Sequence, residues 1–143
     1  MHRGFTSAFR RWTIQTPFEG PGVSHAHGAN VVLALTAGVL RPGRRRHFDR
    51  YTQIVFRGVG AEPGYVGGSV RREVFGRHVW TMTAWIDDAA VNRFVASPRH
   101  QEAISVAGEC LAESRFKRLE LAPTELPVSW DRALELLATA VGR

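Results

Sequence analysis

The stretch HVWTMTAWIDDAAVNRFVASPRHQEAI, residues 78–104, decides how the chain is read. Residues 78–86 are rich in branched and aromatic side chains, which suit extended backbone. Asp87 or Asp88 follows, a short acceptor of the kind that caps a helix. Val91, Phe94 and Val95 give that helix an apolar side. Ser97 and Pro98 then break or restart it, since Pro is favoured at a first helical position and Ser can bond the free N–H groups there. The restarted helix runs to about Leu111, with Ile104, Ala107 and Leu111 as its apolar stripe. Four residues back from Ile104 stands His100. Helical spacing therefore puts an imidazole where the helix meets the rest of the protein.

The elements on either side complete the pattern. YVGGSVRREVF (65–75) reads as a strand, Gly76 as a turn, and residues 78–86 as the hairpin partner. NVVLALTAGVL (30–40) is the first strand, stopped by Pro42 and Gly43. A helix runs from about Arg45 to Val59, with Phe48, Tyr51, Val55 and Val59 on one face, and ends at AEPG (61–64). SRFKRLEL (114–121) is the fourth strand. APTELP is a linker, and Ser129 caps a last helix carrying Trp130, Leu134, Leu137 and Val141 on one side. The order is β-α-β-β-α-β with an extra C-terminal helix. That predicts an α+β, ferredoxin-like fold with one antiparallel sheet and the two main helices on a single face. This domain spans 28–143. Residues 1–27, with Trp12, Ile14 and Phe18 among Gly, Pro and polar residues, read as an N-terminal extension, loosely attached or lying across the domain surface.

Both faces of the predicted sheet are apolar. Val31, Leu33 and Leu35 oppose Val32 and Ala34; Trp80, Met82, Ala84 and Ile86 oppose Val79, Thr81, Thr83 and Trp85. A half-open antiparallel sheet alternates apolar with polar residues instead. The expectation is a homodimer, with the second face covered by the sheet of another copy.

Composition sets the class. The 143 residues are enough for one domain, and 44% hydrophobic residues can fill a core. There is no apolar run long enough to span a membrane and no signal-like apolar core. Cys110 is the single cysteine, so no internal disulfide forms, and a cytoplasmic setting is expected. The net charge is +6, densest in RPGRRRHFDR (41–50), which reads as a solvated loop and helix start; no nucleic-acid partner is expected. HAH (25–27) lacks a nearby carboxylate or thiol and is not read as a metal site. GGSVRR (67–72) lacks the spacing of a dinucleotide fingerprint and does not open a helix.

Residues 78–104 resemble the dimeric α/β barrel superfamily that includes the antibiotic biosynthesis monooxygenases: a strand ending in Trp, acidic residues, a helix, then Ser followed closely by His. FVASPRHQEAI, SRFKRLEL and SWDRAL also resemble spheroidene monooxygenase and its bacterial relatives. The resemblance covers about residues 30–135. It implies a pocket in each subunit between sheet and helices, taking a hydrophobic aromatic or polyene-like molecule. It also implies monooxygenase-like chemistry, cofactor-free in some members and haem-dependent in others. Haem-degrading staphylococcal members use Asn, Trp and His at positions that fall here on Thr36, Phe94 and Ile104, so that chemistry is not carried over.

His100 is the candidate catalytic residue, as base, hydrogen-bond donor or haem ligand. Trp80, Trp85, Tyr65, Arg72 and Phe94 are the candidate substrate-binding residues. Trp80 and Trp85 lie on opposite faces, so only one can line the pocket. Arg72 could hold an anionic group or pair with a carboxylate. The leading expectation has no cofactor. The alternatives are a haem oxygenase and a small-ligand-binding or structural domain without catalysis.

Overall fold

The computed structural model describes residues 12–24 and 27–139. Their order is β1 (Thr13–Gln15), β2 (Val31–Leu40), α1 (Arg45–Val59), β3 (Tyr65–Glu73), β4 (His78–Trp85), α2 (Asp88–Ala96), α3 (Pro98–Cys110), β5 (Leu111–Leu121), a 3-10 turn at Pro123–Glu125 and α4 (Trp130–Ala138). His25 and Val141 lie outside the described residues.

The strands form one antiparallel sheet in the order β1-β3-β4-β2-β5. The ferredoxin-like pattern is therefore present. β4 lies between β2 and β3, which α1 connects, and β2 lies between β4 and β5, which α2 and α3 connect. Caps set the helix starts. Asp87 accepts from the Ala90 N–H at 2.8 Å. Ser97 accepts from the His100 N–H at 3.3 Å and donates to the Phe94 carbonyl at 2.6 Å. One serine thus closes α2 and opens α3, with Pro98 at the first helical position.

β1 was not foreseen from sequence. Ile14 pairs with Arg72, and the chain continues along the same edge: Thr16 N–H donates to Val70 O, Glu19 bridges Gly68, and Gly22 N–H donates to Val66 O. Residues 12–22 are thus an interrupted edge strand. Gly67 of GGSVRR makes room for it, and Gly68 makes room for Met82 and Tyr65. A Cβ on Gly67 would stand 2.5 Å from the Phe18 ring, and one on Gly68 would stand 2.6 Å from both the Met82 carbonyl and the Tyr65 hydroxyl. Those glycines serve close approach.

The sheet separates two apolar layers. On one face Val32, Val59, Tyr65, Trp85, Ala90, Val91 and Phe94 form a cluster, and Leu40, Phe48, Val79, Cys110 and Leu111 form another, under α1, α2 and α3. On the opposite face Val31, Leu33, Leu35, Val66, Met82, Ala84 and Leu121 are all at most 5% exposed. Their cover comes from the same chain: Trp130, Ala133 and Leu137 of α4, together with Val128, Phe18 and Val23. Ser69, buried in this layer, accepts from Trp130 Nε1 at 2.7 Å and donates to the Thr16 carbonyl at 2.6 Å, so both termini of the fold are tied to one hydroxyl. The expectation of a second copy rested on this face being open, and these residues are already packed by the same chain. The apolar stripe of α4 was legible, but its target was not.

No helix of the described residues is long and apolar enough to cross a membrane.

Candidate functional site

A cavity of about 850 Å³ lies between the sheet and the helices. Its floor is the helix-facing side of β2 and β4, with Thr36, Thr81 and Thr83; Phe48, Tyr51, Val55 and Phe56 of α1 form one wall, and Phe94, Val95, His100 and Ile104 form the other. The stripe expected on α3 is present, since His100, Ile104, Ala107 and Leu111 all line the space. Ile104 is 50% exposed and Phe116 of β5 is 75% exposed, although both contribute to the lining. They are cavity residues rather than core residues.

Of the six candidate residues, four form a continuous row. The Tyr65 and Trp85 rings meet edge-on with centroids 5.3 Å apart; Trp85 and Phe94 are 4.9 Å apart; Phe94 and His100 are 4.9 Å apart, again edge-on. Trp85 is fully buried, and its Nε1 donates to Thr83 Oγ1 at 2.9 Å, so the indole carries no unsatisfied donor. Trp85 is therefore the tryptophan on the cavity side. Trp80 borders the cavity along β4, but its ring belongs to the opposite face, stacked on His78 at 6.0 Å with the Arg71 guanidinium over it at 5.6 Å. Arg72 pairs with Asp49 across 3.1 Å and lies away from His100, beside a separate recess. Of the two roles expected for it, pairing with a carboxylate is the one observed.

His100 is half-buried. Its Nδ1 is sealed from solvent and lacks a hydrogen bond of ordinary geometry. Burial pushes the His100 pKa down, and the nearby Val95 carbonyl opposes that shift. Nδ1 is the buried nitrogen, which leaves Nε2 as the ring nitrogen that a ligand could reach. The imidazole is thus a neutral base or acceptor at the edge of an apolar space. Arg99, beside it in sequence, lies against Gly58 of α1 and faces Glu62 at 3.9 Å, which fixes the start of α3 against the end of α1.

Sequence reasoning did not pick out the threonines on the cavity floor. Their signal was present as Thr at alternate positions of an otherwise apolar strand, Thr81 and Thr83. Thr36, Phe94 and Ile104, the positions at which the haem-degrading relatives carry their functional residues, all line this cavity.

No family model matches the chain, and no curated protein matches it by sequence. Solved structures do match. A candidate monooxygenase of Fusobacterium nucleatum superposes with a TM-score of 0.63 at 12% identity, over 77% of this chain and 49% of that one. A candidate monooxygenase of Lactobacillus acidophilus gives 0.57 at 14%, over 78% and 51%. A candidate antibiotic biosynthesis monooxygenase of Bacteroides thetaiotaomicron gives 0.56 at 18%, over 61% and 85%. These structures share the ferredoxin-like fold of this chain. At these identities the likeness fixes architecture, and chemistry must be argued from the cavity itself.

Proposed function

We propose that the protein binds a hydrophobic aromatic or polyene-like molecule in the sheet–helix cavity and acts on it as a monooxygenase. The observation that supports this is the juxtaposition of an open apolar cavity with one neutral, half-buried imidazole in its wall. A base of that kind removes a proton from an acidic hydroxyl or activated C–H of the substrate. The resulting anion is electron-rich and reduces dioxygen itself. Oxidation of a ring CH₂ to a carbonyl by O₂ releases water, so oxygen and hydrogen balance without an external reductant. The threonine hydroxyls of Thr36, Thr81 and Thr83 orient the substrate's polar groups, and the apolar walls exclude water.

The experiment is oxygen uptake by the purified protein with hydroxylated polycyclic arenes such as 1-naphthol. Uptake that disappears in His100→Phe supports the reading. Binding without uptake leaves a ligand-binding domain without catalysis. A Soret band in the purified protein moves the assignment to haem chemistry, with His100 as the imidazole available to iron.

A further inference from the structure

A second space of about 690 Å³ lies beside the main cavity, enclosed by residues 14–20, β3 and α1. Thr52 and Phe56, one helical turn apart on α1, line both spaces. The partition between them is therefore one threonine and one ring. Both are lined mainly by apolar atoms. The charged residues of the main cavity, Glu113, Lys117 and Arg118, are on β5, whereas the recess carries Tyr65, Arg72, Asp49, Arg57, Gln53 and Glu19.

The charges of the recess cancel, since Arg57 and Arg72 face Asp49 and Glu19, and Arg72 is already held by Asp49 at 3.1 Å. An anionic group entering would meet two carboxylates and find one guanidinium engaged. The Tyr65 hydroxyl forms no hydrogen bond among the described residues, although its ring is packed on Trp85. Burial and Glu19 push its pKa up to about 12, so it remains a donor. Gly68 keeps the space at this hydroxyl open, because a Cβ there would stand 2.6 Å from it.

We infer that the recess is a second subsite of the same ligand site, and that the ligand is an elongated molecule with an apolar body and an uncharged hydroxyl or carbonyl head. This rests on the cavity reading above. The apolar body lies in the main cavity, and the head passes the Thr52–Phe56 partition to meet the Tyr65 hydroxyl. The strap of residues 14–20 forms the outer wall of this subsite, which gives the N-terminal extension a part in ligand recognition.

Calorimetric titration with naphthalene, decan-1-ol and decanoate tests this. Naphthalene reports the main cavity alone. Decan-1-ol is expected to bind more tightly than decanoate. Tyr65→Phe keeps the ring and removes the donor, and should weaken decan-1-ol about 3- to 10-fold, the value of one hydrogen bond, with naphthalene unchanged. Gln53→Trp, at an exposed position of α1, fills the recess without disturbing the core and should give the same selective loss. If naphthalene binds but decan-1-ol is indifferent to both variants, the subsite is refuted while the cavity stands. Equal or tighter binding of decanoate refutes the uncharged head. If neither naphthalene nor decan-1-ol binds the unaltered protein, the cavity reading fails and the subsite fails with it.

Discussion

The Phe94 ring stands edge-on to the His100 imidazole, with centroids 4.9 Å apart and planes inclined at 66°. The two residues belong to different helices, joined at Ser97 and Pro98. The contact therefore holds the ring orientation across the break, and Phe94 itself is held by Trp85 beneath it. The imidazole is therefore positioned by the packing of its ring on Phe94. Catalysis from such a group depends on the orientation as much as on the nitrogen.

His100→Phe should therefore fold and lose function, while His100→Ala should lose both in part. The alanine variant removes the ring that meets Phe94, at an expected cost of about 1–2 kcal/mol. Urea midpoints give the stability difference, and ligand titration or oxygen uptake gives the functional one. Full activity in the phenylalanine variant would show that the nitrogens play no part.

The pH dependence follows from burial. The folded His100 pKa lies below the ordinary 6.5, so the unfolded chain binds more protons between the two values. This contribution to stability is complete above 6.5 and is lost as pH falls toward the folded pKa. Activity that needs the neutral imidazole should hold below pH 6.5 and fall on an acid limb displaced downward from that of an ordinary histidine. Rate–pH profiles measure it. A limb at or above the ordinary position would contradict the buried setting.

Ser69→Ala should be costly for so small a change. It leaves the buried Trp130 Nε1 and the Thr16 carbonyl without their shared partner. The expected loss is about 1–3 kcal/mol, read from denaturation midpoints. A neutral result would mean that water replaces the hydroxyl.

Much of this architecture was legible in sequence, because β2 and β4 are rich in branched and aromatic residues, Gly64 and Gly76 bracket β3, and Asp87, Ser97 and Ser129 mark three helix starts. β1 was not legible. Thr13 and Ile14 favour extended backbone, but a three-residue strand between polar, Gly and Pro positions is too short to show an alternating pattern, and its pairing is supplied by the otherwise open edge of β3. Alternation placed Trp80 and Trp85 on opposite faces, but which face the helices cover is a matter of tertiary packing. The recess was invisible for the same reason, since Tyr65, Asp49 and Gln15 meet only after the strap folds over β3 and α1.

Removing α4 should convert a covered apolar face into an exposed one. A chain ending at Ala122 lacks Trp130, Ala133 and Leu137, which cover Val31, Leu33 and Met82. Light scattering should show association or precipitation of the shortened chain relative to the full one. If both forms give the same stable dimer, the intrachain cover is not what satisfies this face.

The most direct measurement of the central claim is a methyl and imidazole NMR titration with 1-naphthol. The account requires the Val55 and Ile104 methyl signals and the His100 ring signals to shift together and saturate, with the Met82 methyl, buried on the opposite face, unmoved. Saturable shifts confined to Met82 and its neighbours, or no saturable shift at His100 and Ile104, would contradict it.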